Sequence, residues 1–333
     1  MSTTSQLTTF SDLMTDLQNR VRIQTGVTAS ENQAKRYINI ALHDMHVGFD
    51  YRFPWAERSA RLITRAQYST GTVTITKGST TLTGTDTLWT TTDAFGVANA
   101  RANGKIRIAG SLVPYVVSSV DGAGTITLSS AFTESDQTAQ TYLYYEDEYA
   151  LASDFLRPID AQRFSEEIPI DIVSRTEFRR TYPTNAVPGN PVVACIIDSA
   201  PSGNTTPVRR VRFGPPPSTA MTIPYTYVTS NLAVSSAGVA AANLSADTDE
   251  PIVPLRYRHA LLFHALYHWY RDKKDDGRSQ EAKGEYTDLL LRISADTEVG
   301  GVRPQFRPRM SGYTRYARRP YSRGGRYTTD PNA

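Results

Sequence analysis

GTVTITKGSTTLTGTDTLWT, residues 71–90, decides the architecture. Val73, Ile75, Leu82 and Leu88 alternate with threonines, and Gly78 and Gly84 punctuate the run. A period of two with glycine breaks predicts short half-buried strands joined by turns. KIRIAG (105–110), LVPYVVSSV (112–120), GTITLSS (124–130) and TAQTYLYYE (138–146) continue the pattern. About six strands in about 75 residues suit a small antiparallel barrel or sandwich. Trp89, Phe95 and Tyr115 are expected in its core.

Outward from this segment the period changes to that of helices. In SDLMTDLQNRVRIQ (11–24), Leu13, Leu17 and Val21 share a face, Ser11 is the expected N-cap and Gly26 the stop. Ser30 is then expected to cap a second helix, with Gln33 completing a capping box. Its stripe is Ala34, Tyr37, Ile38, Ala41, Leu42 and Met45. Beyond the β segment, DEYALASDFLRPIDAQRF (147–164) reads as extended and IDIVSRTEFRRTYP (170–183) as a short helical turn. VVACIID, PVRRVRFGPPP and TIPYTYVTSNL read as strands, and AVSSAGVAAANLSAD (233–247) as a weakly structured loop. VPLRYRHALLFHALYHWYRDKK (253–274) is apolar nearly all round and so predicts a buried helix. Gly277 is expected to break it, and Ser279 to cap a last helix burying Ala282, Tyr286, Leu289, Leu290 and Ile293.

The C-terminus is different again. GVRPQFRPRMSGYTRYARRPYSRGGRYTTDPNA (301–333) carries eight arginines, no lysine and one acid, Asp330. Prolines and paired glycines forbid a continuous helix, and too little apolar surface is present to offset ordering entropy. The segment predicts an arm that is disordered alone and ordered by a partner. Arginine and tyrosine are favoured interface anchors. The candidate docking residues are therefore Arg303, Arg307, Arg309, Tyr313, Arg315, Tyr316, Arg318, Arg319, Tyr321, Arg323, Arg326 and Tyr327. The whole chain is +3, and the net +7 of the arm leaves −4 on the remainder. An acidic body thus carries a basic end.

The chain has 333 residues, and its 39% apolar content, low for a globular protein, leaves room for the Thr, Ser, Gly and Pro of strands and turns. Cys195 is the only cysteine, so no intramolecular disulfide forms; its apolar neighbours mark it as a buried small hydrophobe. MSTTSQLTTF lacks a basic and an apolar region, so no signal peptide is expected, and no stretch of about 18 apolar residues predicts a membrane span. No phosphate loop, dinucleotide loop or nucleophile elbow is present. His264 and His268 are spaced i, i+4, which can hold zinc, but Ala265 stands where a metalloprotease helix needs glutamate. These histidines, like His43, His46 and His259, are read as core or interface residues. Asp147 and Glu148 are adjacent in an extended run and point to opposite faces, a poor acid/base pair. No catalytic residue, cofactor or metal is expected, and the protein is read as not an enzyme.

Taken together, GTVTITKGSTTLTGTDTLWT, GKIRIAG, VVSSVDGAGTITLSSAFT and YEDEYALASDFLRP resemble the β insertion and its exit in head-to-tail adaptor (connector) proteins of tailed bacteriophages. PGNPVVACIID with VRFGPPPSTAMTIPYTYV is similar to the later part of that pattern. RHALLFHALYHWYRDKKDDGRSQEAKGEYTDLLLRI resembles its closing helix pair. The likeness covers roughly residues 10–295; TTDAFGVANARANG (91–104) is longer than the corresponding loop, and the Arg/Tyr arm is not a fixed feature of the family.

The resemblance implies an α+β fold: a helical-bundle core from the N- and C-terminal helices, with an inserted small antiparallel β domain. The expected divisions are a helical hairpin at 1–68, the β domain at 69–146, an extended and β-hairpin region at 147–249, closing helices at 250–299 and the arm at 300–333. It further implies a virion protein of the head–tail junction, assembled in the host cytoplasm as a ring, commonly dodecameric. Its partners would be the portal protein, neighbouring copies, the next tail component and passing double-stranded DNA read without sequence specificity. Two other classes stay open: a nucleic-acid-binding protein acting through the arm, and a carbohydrate-binding tail or fibre protein built on the Thr/Ser/Gly strands.

Overall fold

The computed structural model describes residues 6–22, 27–47, 53–199 and 208–297. It is a mixed α+β structure with five α-helices and several sheets among those residues. Helices α1 (Phe10–Val21) and α2 (Thr28–Val47) come first. Thr9, not Ser11, caps α1: its hydroxyl accepts from Asp12 N–H at 3.2 Å, and the Asp12 carboxylate accepts from Thr9 N–H at 2.9 Å. Two orphan donors are satisfied reciprocally, which stabilises such a helix start by about 1 kcal/mol. Arg22 adopts the left-handed conformation and ends the helix before the expected stop at Gly26, which lies outside the described residues. Ser30 falls inside the first turn of α2 rather than capping it.

After a 3-10 turn, β1 (Glu57–Ile63) leads to the segment read from the sequence as strands. It forms β2 (Thr72–Ile75), β3 (Thr81–Thr85), β4 (Lys105–Ile108), β5 (Tyr115–Gly122), β6 (Thr125–Leu128), β7 (Gln137–Gln140) and β8 (Tyr142–Tyr145). They make one seven-stranded sheet, ordered β7-β2-β3-β6-β5-β4-β8. Its two edges, β7 and β8, are consecutive in the chain and separated only by Thr141, so the sheet must curl back on itself. Tyr68 pairs with the outer edge of β8 through reciprocal backbone bonds to Tyr144 of 2.9 and 2.8 Å. The result is a curled half-barrel rather than the closed barrel or sandwich expected. Val73, Ile75, Leu82, Ile106, Val117, Ile126 and Trp89 fill it, and Trp89 Nε1 donates to Tyr142 Oη at 2.9 Å. Alternation put Leu88 inside with Leu82. It lies outside instead, because the chain leaves the strand at Asp86 and turns through two left-handed residues.

The chain continues through β9 (Glu148–Ala150), β10 (Phe155–Pro158), β11 (Asp171–Ile172), α3 (Arg175–Thr181), β12 (Val193–Ser199), β13 (Val208–Gly214) and β14 (Thr222–Thr229). β14 sits between β1 and β10, while β11, β12, β13 and β9 form a second sheet in that order, with β11 and β12 parallel. The two sheets share a core of Phe155, Phe164, Phe213, Tyr225 and Tyr227. Short strands β15 (Ala233–Val234), β16 (Ala240–Ala241) and β17 (Glu250–Pro251) follow. The stretch expected as a loose loop is tied down: Asn39 of α2 donates to Leu244 O and accepts from Leu244 N–H, both at 3.0 Å, and Leu244 is buried.

Helices α4 (His259–Asp272) and α5 (Asp276–Thr297) close the described chain. Their buried faces join those of α1 and α2 in one hydrophobic cluster that includes Leu13, Leu17, Ile38, Leu42, Leu261 and Leu262. Each such side chain contributes roughly 1.5–3 kcal/mol by leaving water. The break between α4 and α5 falls at Lys273–Asp275, where Lys274 is left-handed; Gly277 is inside the first turn of α5 and breaks nothing. Asp275 caps that turn by accepting from Arg278 N–H, and Ser279 is buried within the helix instead of capping it.

Candidate interaction surfaces and the junction that positions them

The half-barrel joins the rest of the molecule through Glu146 and Asp147. Chain geometry puts these two acids where β8 leaves one sheet and β9 begins in another. The Asp147 carboxylate is enclosed completely. Its Oδ2 accepts from Lys105 Nζ at 2.6 Å, Arg212 Nε at 2.9 Å and Asn185 Nδ2 at 3.0 Å. Lys105 belongs to β4 of the half-barrel, Arg212 to β13, and Asn185 to the loop after α3, where it also donates to Phe213 O. Two cations and an amide therefore converge on one buried oxygen and offset a charge that would be very costly to bury alone, while Oδ1 has no hydrogen-bond partner among the described residues.

Glu146 repeats the arrangement one residue earlier. It pairs with the Arg101 guanidinium and accepts from Tyr144 Oη at 2.7 Å. Burial first, then the neighbouring Glu146 carboxylate, push the Tyr144 phenol well above its ordinary pKa, so it stays a donor. Tyr149 Oη accepts from Arg65 N–H at 3.1 Å and donates to Glu146 O at 3.2 Å. The buried Arg65 side chain pairs with Asp93 and Asn99 in the long loop of the half-barrel. Lys105, Tyr144, Tyr149 and Arg212 are held by strands and the other partners by the loops beside them, and the half-barrel is fixed to the second sheet by charge-assisted contacts. Asp147 and Glu148 were expected on opposite faces of one extended run, but Asp147 lies between β8 and β9 and both carboxylates reach Arg212 Nε, at 2.9 and 3.8 Å, with Glu148 partly exposed. What the sequence reading missed is that Asp147 is a structural anchor. Two acids directly after the buried run YLYY were the available signal.

The same fixed module carries apolar side chains outward. Leu112, at the turn between β4 and β5, is 88% exposed with Val113 beside it. Glu134 holds that turn, accepting from Ser111 Oγ at 2.9 Å and Leu112 N–H at 3.1 Å. Phe95, expected in the core, is 48% exposed. Its loop is set by Asp93, which accepts from the N–H groups of Phe95 (2.9 Å) and Val97 (3.0 Å). Burial works against the Asp93 charge, but these donors and Arg65 outweigh it and hold the carboxyl below its usual range. Leu88 is left-handed and exposed, with its carbonyl accepting from Asn99 Nδ2 at 2.9 Å. A bulky residue in that conformation costs about 1–2 kcal/mol. Trp89 and Tyr115 are buried as expected.

All twelve arginines and tyrosines singled out in the arm, Arg303 to Tyr327, lie outside the described residues. Cys195 is buried, and burial raises its thiol pKa. His46 is enclosed and neutral: Nδ1 donates to Leu42 O (2.8 Å) and Nε2 accepts from Trp55 Nε1 (3.1 Å). His264 and His268 come together with Asp44 across the α2–α4 contact. No helix among the described residues is long and apolar enough to cross a membrane.

A family profile described as SU10 adaptor protein matches residues 98–309, well over half of the chain. No curated protein matches. The matched stretch runs from the long loop of the half-barrel through the Asp147 junction and both closing helices.

Proposed function

Because the chain belongs to the SU10 adaptor protein family, a family of phage adaptors and hence of virion structural proteins, we propose that it is a non-enzymatic adaptor of the phage neck. Copies of it form a ring, commonly dodecameric, that docks on the portal, lines the DNA channel and presents a platform to the next tail component. In this reading the helices of residues 1–68 and 250–299 are a helical-bundle core. Residues 69–146 are the inserted β domain, 147–249 the connecting β region, and 300–333 the docking arm. The ring is assembled in the host cytoplasm and occupies the head–tail junction.

The observation that carries the reading is the buried Asp147 junction together with the apolar tips it holds outward. A module displayed rigidly, with Leu88, Phe95 and Leu112 exposed on hydrogen-bonded loops, is suited to a heterologous contact between unlike patches, which closes into a ring when the rotation permits. Leu88 is held in the left-handed conformation with its carbonyl bonded to Asn99, which keeps its side chain displayed. Cosedimentation with purified portal rings through a sucrose gradient tests it. The protein should move with the portal. Sedimentation with DNA but not with portal, lost steeply as salt rises, would replace the adaptor with a nucleic-acid-binding protein.

A further inference from the structure

Asp44, near the end of α2, faces His264 and His268, one turn apart on α4. Asp44 Oδ2 is 3.1 Å from His264 Nε2 and 3.0 Å from His268 Nε2, and the two nitrogens are 3.2 Å apart. Three atoms at mutual hydrogen-bonding distance have three contacts to satisfy, but each neutral imidazole nitrogen carries at most one proton. If both nitrogens donate to the carboxylate, the two protons oppose each other across the third edge. If one nitrogen is bare, one imidazole proton must serve two acceptors. No protonation pattern satisfies the whole triangle.

We propose that this triangle is a binding site for a divalent transition ion of the zinc class, formed by Asp44, His264 and His268 with a fourth position open to solvent. Bonds of about 2.0–2.2 Å to nitrogen and oxygen place tetrahedral ligand atoms about 3.3–3.5 Å apart, so each observed edge needs to open by only a few tenths of an ångström. Two imidazoles and a carboxylate are a donor set that such ions favour. The ligands are accessible without being loose: both histidine side chains are 11% exposed and that of Asp44 is 49% exposed.

The surroundings also set the strength. Tyr286 lies against the His264 ring at 4.2 Å between centroids and fixes its plane. His264 Nδ1, however, is buried with no hydrogen-bond partner among the described residues. Metal-bound histidines usually donate that second N–H, and loss of such a partner weakens a site by about 10–100-fold. The ion would therefore be held reversibly, joining α2 to α4 as a removable staple rather than as a folding requirement.

The test uses the full-length chain stripped of metal by chelator, with cobalt(II) as the probe. One equivalent should bind per chain with the visible spectrum of a tetrahedral nitrogen–oxygen site, zinc should displace it, and the melting temperature should rise. Asp44→Asn and His268→Gln should each weaken binding by about 100-fold or more while His43→Gln, on the same helix but bonded to Asn243, leaves it unchanged. Circular dichroism of each variant establishes that it is folded. Should either variant misfold, the wild-type spectrum still decides. Absence of the tetrahedral bands, or binding equal in the wild type and a folded Asp44→Asn variant, overturns the proposal.

Discussion

Lys105 Nζ lies 2.6 Å from Asp147 Oδ2, and that ion pair joins the half-barrel to the strands that follow it. Arg212 reaches the same oxygen from the other side at 2.9 Å. The connection is thus electrostatic at its centre, although the modules on either side are built on apolar cores.

Replacing Asp147 by Asn removes the anion and leaves two cations facing each other in a buried site. Breaking one partner of such a network costs about 3–5 kcal/mol. Urea denaturation should show a loss of that order, with new protease sensitivity around residues 146–148. A loss below about 1 kcal/mol would mean that the junction is held by packing instead.

Two glycines provide an internal comparison. Gly71 (φ +84°) and Gly78 (φ +83°) are both left-handed, yet a Cβ on Gly71 would meet the Thr85 and Asp86 backbone while one on Gly78 meets nothing. Gly78→Ala should cost about 1 kcal/mol, the price of the conformation alone. Gly71→Ala should cost clearly more, because backbone must move. Equal melting temperatures for the two variants would contradict this.

Much of this architecture is legible in the sequence, and the misses have physical causes. Period 3.6 marks α1, α2 and α5 because each buries one face in a common core, and α4 stands out by being apolar nearly all round. Period two marks the half-barrel strands for the same reason. Helix ends are harder to read: Thr9 and Asp275 cap where Ser11 and Ser279 were expected, since a cap is decided by one hydrogen bond. Phe95 was misassigned because hydrophobicity does not reveal that Asp93 holds its loop outward. Local pattern marks only part of each long-range meeting: the two acids after YLYY and the i, i+4 spacing of His264 and His268 are visible in the sequence, but the partners Lys105, Asn185 and Arg212, and Asp44, come from distant parts of the chain. The arm's residues lie outside the described structure, so its docking role rests on composition.

Acid should weaken the fold through His46. Burial lowers its pKa to about 4 from the ordinary 6.5. Between those values the unfolded chain binds a proton that the folded chain refuses, so stability rises with pH there and is lost as pH falls from about 6.5 toward about 4. The contribution between pH 7.5 and pH 5 is on the order of 2 kcal/mol. Denaturation at the two pH values should show it, and His46→Gln should flatten the difference. An unchanged pH dependence in that variant would assign the effect elsewhere.

The exposed apolar residues should behave as contact residues. Leu112→Ser and Phe95→Ser should change monomer stability by no more than about 0.5 kcal/mol. Trp89→Ala, by contrast, should cost about 3–5 kcal/mol because it empties the half-barrel core. The two surface variants should nevertheless reduce self-association or cosedimentation with the portal. Full assembly by the Leu112→Ser, Phe95→Ser double variant would move the contact surface off the half-barrel.

Negative-stain electron microscopy of the purified protein mixed with its cognate portal ring, with and without residues 301–333, tests the adaptor role most directly. The account predicts an added ring beneath the portal with the full chain, and its loss on truncation if the arm does the docking. An added ring that survives truncation would keep the adaptor and move docking to the body. No added density with either chain, accompanied by salt-sensitive binding to nucleic acid, would contradict the account.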